Sequence, residues 1–325
     1  MSLLDRIFAE PEFVAQPPVL VDVGAAGGVH PAWKRIARHA IGVGFEPDAR
    51  EAPPLSAAQS QFKRWIFCPT LVVPAATPVG RQDLHLTRSP QCSSTLRPNA
   101  ASLGAWAFAE HFTVEQTRSC AATTLMMALA EQGIGRVDWL KCDTQGIDLG
   151  IFQSLPAEDR ARLLALEFEP GLIDAYEGED KLAAVLSAME REPFWLAELG
   201  VCGTPRGRPE MFRRHLGAGA LPWVHRLAPR ASAWANVRFL RDFSVRPETL
   251  DRRAYLLGWV FATITGQHGA ALALAEEGAG HFPGPLFRDM TAASAGRLRW
   301  AMARNFPGWL WRRFGPDHEP LLHVF

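Results

Sequence analysis

Four short stretches of this chain place acids where an apolar run gives way to a turn. Asp22 stands two residues before the start of Gly24-Ala25-Ala26-Gly27-Gly28, and Glu46 follows Phe45 in Phe45-Glu46-Pro47-Asp48. Asp143 ends Leu140-Lys141-Cys142 and opens Thr144-Gln145-Gly146, while Glu167 and Glu169 flank Phe168 in Leu166-Glu167-Phe168-Glu169. A carboxylate at the end of a buried strand needs a partner or solvent, so each of these acids is a candidate for ligand contact or proton transfer.

The first stretch constrains the ligand. Val19 to Val23 has the apolar, β-branched character of a strand covered on both faces. Gly24, Gly27 and Gly28 let the backbone take positive φ and approach a ligand closely, and Pro31 suits the first turn of a helix. Strand, glycine turn and helix start are how an open α/β sheet makes a nucleotide pocket at its carboxyl edge. The dinucleotide fingerprint fails, because it would need glycine at Ala26 and Val29. Asp22 would also repel a pyrophosphate, whereas it suits a ligand carrying positive charge. S-adenosylmethionine (SAM) has an ammonium, a sulfonium and no phosphate. Glu46 stands about 20 residues past the turn, where an acid accepts hydrogen bonds from ribose hydroxyls. The plainer alternative is a tight turn followed by a solvated strand end.

Asp22-Val23-Gly24-Ala25, Phe45-Glu46-Pro47 and Lys141-Cys142-Asp143-Thr144-Gln145-Gly146 together resemble the three signatures of the FkbM-type SAM-dependent methyltransferases. The resemblance runs from about Val19 to Arg241. It implies an α/β fold with the Rossmann-like, seven-stranded sheet of class I methyltransferases, SAM as cofactor, and methylation of a hydroxyl, often on a sugar or glycan. On this reading Asp22, Gly24, Ala25, Gly27, Glu46, Pro47 and Asp143 hold the cofactor. The chain departs from the pattern at Ala26, where many members carry Asn, and at Asp148, where Glu is common.

Such an enzyme must align donor and acceptor and remove a proton. Asp143 and His30 are the catalytic candidates: Asp143 at the crevice, His30 as the histidine beside the glycine turn. Asp143 could instead cap the next helix, and His30 could be a surface residue at a helix start. Ser93 and Ser94, in the polar loop Gln91 to Thr95, and Glu169 are the acceptor-side candidates. A solvated Ser/Thr turn and a solvated strand end are their plain alternatives. Cys68, Cys92, Cys120, Cys142 and Cys202 contain no Cys-x-x-Cys pair and the histidines are scattered, so no metal site is expected. A domain that kept SAM binding but lost turnover, acting as an assembly or regulatory partner, is the runner-up reading. A nucleotide-dependent oxidoreductase is disfavoured by the glycine spacing.

The 325 residues allow one large α/β domain, 1–243, and a helical C-terminal region, 244–325. Lys plus Arg and Asp plus Glu both number 34, so no charge excess calls for nucleic acid. The N-terminus lacks the apolar run of a signal peptide, and Ala254 to Ile264 is too short to span a bilayer; a cytoplasmic location is expected. Around the four stretches, Leu3–Phe8 is predicted as a helix on the sheet edge and Pro31–His39 as a helix after the first strand. Arg50–Gln61 is a weaker helix. Lys63–Cys68 and Thr70–Val73 are strand-like, and Gln82–Thr87 and Phe112–Arg118 alternate as exposed strands do. A helix over Leu125–Gln132 is capped by Thr123 or Thr124, and helices follow at Ile147–Ser154 and Lys181–Glu192. Val137–Asp143 and Arg162–Glu169 are core strands, and Phe194–Cys202 with Ala235–Arg241 forms a closing antiparallel pair. Gly203 to Arg230 holds six arginines opposed only by Glu210, either a solvated hairpin extension or a lid that meets an anionic acceptor. Helices follow at Glu248–Thr265, His268–Glu277 and Asp289–Asn305. The basic aromatic tail, Arg297 to Arg313, suits packing on its own domain or a twin subunit in a homo-oligomer. Peripheral contact with an anionic membrane is the second option.

Overall fold

The computed structural model describes residues 2–26, 28–50, 61–246 and 249–314; Gly27 and most of the predicted Arg50–Gln61 helix lie outside them. The chain divides into two compact units, Glu12–Val245 and a second formed by Met1–Pro11 with Arg246–Phe325. The division differs from the 1–243 reading at the N-terminus, because the first eleven residues belong with the C-terminal helices.

The larger unit is an α/β structure around a seven-stranded mixed sheet. Its strands, in chain order, are β1 (Val19–Val23), β2 (Ile41–Phe45), β3 (Arg64–Cys68), β7 (Trp139–Cys142), β8 (Ala165–Phe168), β9 (Phe194–Thr204) and β10 (Ala231–Arg241). They lie side by side as β3-β2-β1-β7-β8-β10-β9. Five strands run parallel, and β10 enters antiparallel between β8 and β9. This is a class I methyltransferase-like arrangement. It places the carboxyl ends of β1, β2, β7 and β8 on one edge, where open α/β sheets bind ligands. β1 is buried at all five residues, as its unbroken apolar character requires.

Three local predictions need correction. Pro31–His39 is not one helix but two 3-10 turns, Trp33–Arg35 and Ala37–His39, separated by Ile36 at φ −123°. A 3-10 turn rises about 2.0 Å per residue against about 1.5 Å for an α-helix. That longer rise helps so short a connection travel back from the end of β1 to the start of β2. The predicted strand Arg162–Glu169 begins only at Ala165, because Ala157–Arg162 is helical. Gln82–Thr87 is not an exposed strand. It belongs to β5 (Gly80–Thr87), which pairs with β6 (Val114–Thr123), itself paired with β4 (Leu71–Val72), in a separate three-stranded sheet. Leu71, Val73, Leu84, Leu86, Cys120 and Ala122 close its core.

One face of the large sheet carries a row of alternating charge. Register sets Asp22 beside Lys141, Lys141 beside Glu167, Glu167 beside Arg238, and Arg238 beside Glu198. Lys141 Nζ lies 2.8 Å from Asp22 Oδ1, Arg238 Nε lies 3.2 Å from Glu167 Oε1, and Arg238 also pairs with Glu198. Burial alone would pull the Lys141 ammonium down, but Asp22 and Asp143 overcome that and hold it above its ordinary range. Burial pushes Asp22 up, and Lys141 offsets this only in part.

In the smaller unit, α1 (Leu3–Phe8) is capped by Ser2 and Asp5 in a capping box. It belongs to the unit of the C-terminal helices and not, as predicted, to that of the sheet: Arg6 pairs with Asp289 at 2.7 Å in the long helix Pro285–Phe314. Arg252–Ile264 is capped by Asp251. Trp259 Nε1 donates to Ser294 Oγ at 2.9 Å, and Tyr255 Oη donates to Glu277 at 2.7 Å, joining the three C-terminal helices, of which the middle one is His268–His281. Trp300 and Trp311 are 62% and 67% exposed, while Trp309 stacks on Phe306 at 5.8 Å. Among the described residues no helix is long and apolar enough to cross a membrane.

The charge row yields a stability prediction. Lys141→Met strands the buried Asp22 carboxylate and is expected to cost about 3–5 kcal/mol of unfolding free energy. Adding Asp22→Asn removes the stranded charge and should recover at least half of the loss. Urea unfolding followed by tryptophan fluorescence reads both, and a double variant no more stable than Lys141→Met would contradict the pairing.

Candidate functional site

The strand ends open on a cleft of about 690 Å³. Val23, Gly24 and Ala26 line it from the end of β1, Glu46, Pro47 and Asp48 from β2, Asp143 to Ile147 from β7, and Glu169 from β8. Leu71, Val72 and Leu84 of the small sheet and the loop Ser89–Thr95 form a second wall. Phe108, Phe112, Tyr176 and Trp234 form an aromatic wall, with Phe108 and Phe112 5.1 Å apart and Phe112 edge-on to Tyr176 at 5.5 Å.

Gly24 is required where it stands. Its φ is +85°, and a Cβ there would fall 2.0 Å from the carbonyl oxygen of Asp143. Its N–H and that of Ala25 both donate to the Phe45 carbonyl, at 2.9 and 3.0 Å. The Asp143 N–H donates to Val23 O at 2.8 Å. The ends of β1, β2 and β7 are thereby locked together.

Asp143 and Glu169 face each other across the end of the sheet. Gln145 Nε2 donates to Asp143 Oδ1 and to Glu169 Oε2, each at 2.9 Å. Gln145 has φ +60°, a left-handed conformation costly for a residue with a side chain and found mainly where the surroundings over-determine it. Those surroundings are visible. Ser94 Oγ donates to the Gln145 carbonyl at 2.8 Å, and Tyr176 Oη lies 3.0 Å from Gln145 Oε1 and 2.8 Å from Cys92 O. Burial, then the neighbouring Asp143 carboxylate, push the Glu169 carboxyl up to about 9, so at neutral pH it keeps its proton and shares it with Asp143. Burial pushes the Cys92 thiol up to about 11, which leaves it inert.

Asp148 holds this pair in place. It accepts from Thr144 N at 2.8 Å, from Thr144 Oγ1 at 2.5 Å and from Glu169 N at 2.9 Å, joining the ends of β7 and β8. Burial raises its carboxyl to about 6 despite the Thr144 hydrogen bond. The following helix, Asp148–Gln153, is capped from a distance: Asp180 accepts from Leu149 N at 2.8 Å and Gly150 N at 3.3 Å. Asp143 is therefore not the cap of that helix.

Of the predicted site residues, Gly24, Glu46, Pro47, Asp143, Ser93, Ser94 and Glu169 line the cleft. Glu46 is buried and accepts the Asp48 N–H at 2.7 Å. The two serines line it with hydroxyls already engaged: Ser94 on Gln145, Ser93 with Arg50 at 3.1 Å and the Thr87 N–H at 3.2 Å. Ala25 is buried behind the turn. Asp22 does not line the cleft, because strand alternation turns it toward Lys141 in the charge row. His30 does not reach it either; its ring packs on Trp33 and Trp139, and Nε2 lies 3.2 Å from Glu167. Gln145 and Tyr176 also line the cleft and hold the Asp143–Glu169 pair, and the sequence reading did not single them out as site residues. Gln145 lies within the motif that singled out Asp143, while Tyr176 carries no local signal.

The donor set suits SAM on the β1–β2–β7–β8 side. Glu46 and Asp143 supply acceptors there, Gly24 supplies open backbone, and no Lys or Arg lines this side. Among the described residues there is no cluster of three potential metal ligands. No family model, curated protein or solved structure matches the chain.

Glu169 carries a pH signature. Its carboxyl titrates at about 9 when folded against an ordinary 4.5. Its contribution to stability is therefore full below about pH 4.5 and is lost as pH rises through about 9. Glu169→Gln mimics the protonated acid and has no such titration. Relative to the parent it should gain up to about 1.4 kcal/mol of stability per pH unit across that window. Chemical unfolding at pH 5, 7 and 9 measures the difference, and a gap that does not move with pH would overturn the shared-proton arrangement.

Proposed function

We propose that the α/β unit binds SAM in this cleft and transfers its methyl group to a hydroxyl of a sugar, glycan or glycolipid, as the resemblance to FkbM-type methyltransferases implies. One observation carries the reading: a glycine turn that must be glycine opens on strand ends lined by the carboxylates of Glu46, Asp143 and Glu169, with the nearby Arg50 already taken by Asp48. A phosphate-bearing dinucleotide would meet the Glu46 carboxylate there, and the nearest guanidinium, Arg50, is already paired with Asp48 at 2.6 Å.

When bound, SAM supplies an electrophilic methyl group on a sulfonium. Glu46, at the end of β2, accepts from the ribose hydroxyls. The Gly24 backbone permits close approach of the methionine portion. Asp143 is fixed by Gln145 and by Lys141, whose Nζ lies 3.6 Å from Oδ2, so its carboxylate is positioned rather than free to rotate. It steadies the positive end of the cofactor and takes the proton that leaves the acceptor hydroxyl. Glu169, already protonated, cannot take that proton; it orients Asp143. The aromatic wall excludes water on the acceptor side.

Calorimetric titration with SAM and with NAD tests the reading. SAM is expected to bind and NAD not to, and Glu46→Ala should weaken SAM by about 1.5–3 kcal/mol, the loss of hydrogen bonds to a charged acceptor. Asp143→Asn is nearly isosteric; it should fold and bind SAM yet lose at least tenfold in methyl transfer to a panel of sugar and glycan acceptors, about 1.4 kcal/mol of barrier. Binding of NAD without SAM would indicate an oxidoreductase. Tight SAM binding with no transfer by the parent would indicate the catalytically silent alternative.

A further inference from the structure

The cleft is longer than the motifs that define its acidic side. Sheet order sets Glu46 (β2), Asp143 (β7) and Glu169 (β8) toward one end, and the end of β9 with the start of β10 toward the other. There Gly203 and Thr204 of β9 and Ala233 and Trp234 of β10 line the wall. His111 and His225, 114 positions apart in the chain, meet at this end with their rings edge-on and 5.7 Å apart.

Arg230 lines the same end and is exposed. Of the six arginines between Gly203 and Arg230 it alone lines the cleft. Arg213 is taken by Glu110, at 2.5 and 2.6 Å, and Arg206 and Arg226 lie over Trp106 and Trp223. Among the described residues Arg230 has no ion-pair partner. Glu110, the acid next to His111, is neutralised by its two bonds to Arg213 and by Arg88 at 3.9 Å. His225 Nδ1 lies 3.1 Å from Thr204 Oγ1. With the threonine hydroxyl donating there, Nε2 carries the ring proton and serves as a donor. Partial burial and His111 hold His225 below its ordinary value, so it offers that N–H as a neutral ring.

Donors with no acid paired to Arg230 therefore gather at one end of a cleft whose other end is lined by the carboxylates of Glu46, Asp143 and Glu169. We infer that the acceptor substrate carries an anionic group, a phosphate or carboxylate, seated on Arg230, His225 and His111. Its hydroxyl would then extend past the aromatic wall toward Asp143. The substrate assignment rests on the proposed methyl transfer; the anion site does not. A planar guanidinium can grip phosphate or carboxylate oxygens with two parallel hydrogen bonds, and the two imidazoles complete the seat without a fixed charge. The segregation also explains why an acid-lined cofactor side coexists with an arginine in the same cleft: the two ligands meet opposite chemistry.

Inorganic phosphate is the probe. Titrated into the full chain at pH 7 without SAM, it should bind saturably in the millimolar range and shift the imidazole signals of His111 and His225 in nitrogen-correlated NMR spectra. Arg230→Ala should weaken phosphate at least tenfold and His225→Gln at least threefold. Because Arg230 is exposed, its variant should fold as the parent does and keep SAM affinity within twofold. Absence of saturable binding, or phosphate binding that survives Arg230→Ala unchanged, overturns the anion site. Phosphate binding lost in Arg230→Ala together with no SAM binding by the parent would uphold the anion site and remove the methyl-transfer reading instead.

Discussion

A single buried carboxylate, Asp148, fixes the geometry on which the cleft depends. Its oxygens take the Thr144 N–H and hydroxyl from the end of β7 and the Glu169 N–H from the end of β8. Parallel strands with separate crossovers have no turn to set how their ends meet, so the two loops would otherwise be free to diverge. With Asp148 in place, Asp143 and Glu169 are close enough for one amide, that of Gln145, to donate to both. Burial first, and then the nearness of the Asp143 carboxylate, disfavour a charge on Glu169, which is why its carboxyl is pushed up to about 9. The left-handed backbone at Gln145 is tolerated because Ser94 and Tyr176 hold it from either side. Loop Gln91–Thr95 thus acts by positioning the pair, whichever ligand arrives.

The charge row beneath the cleft explains a second feature. β1 must be apolar on the face that packs into the core, so Asp22 falls on the opposite face, where Lys141 neutralises it. Lys141 also lies 3.6 Å from Asp143. One ammonium therefore compensates the buried Asp22 carboxylate and steadies the half-buried Asp143 carboxylate in the cleft, and the row is joined to the site through it. The acid just before the glycine turn is in this chain a partner for the lysine in register with it on the neighbouring strand, not a wall of the pocket.

Much of this was legible from residue order. Apolar runs ending in acids marked β1, β2, β7 and β8, and the closing antiparallel pair at Phe194–Cys202 and Ala235–Arg241 was expected from the likeness to a methyltransferase sheet. Gly24 was identifiable from the strand-to-turn residues around it, although the Asp143 carbonyl that it must accommodate lies on another strand. The rest depended on contacts between distant segments. The small sheet pairs Gly80–Thr87 with Val114–Thr123, and Leu84 and Leu86 look like an ordinary alternating strand until β6 is seen against them. His30 stood beside the right turn in the chain, yet the connection to β2 carries it over the sheet face onto Trp139. Tyr176 is one of only two tyrosines, but nothing around it hints that its hydroxyl would close the Gln145 network. His111 and His225 have no motif at all; only the fold brings them together. The N-terminal helix reads as part of the first domain because it comes first, and it is Asp289, near the far end of the chain, that shows where it belongs.

The central claim is that the acid-lined strand ends receive SAM with its reactive end at the Asp143–Glu169 pair. A crystal structure of the full chain with S-adenosylhomocysteine tests it most directly. The account predicts ribose hydroxyls within hydrogen-bond distance of Glu46, backbone contact at Gly24, and the sulfur within about 5 Å of the Asp143 carboxylate, with Arg230 untouched. A ligand seated at the Arg230 end, or one whose sulfur faces away from Asp143, would contradict it.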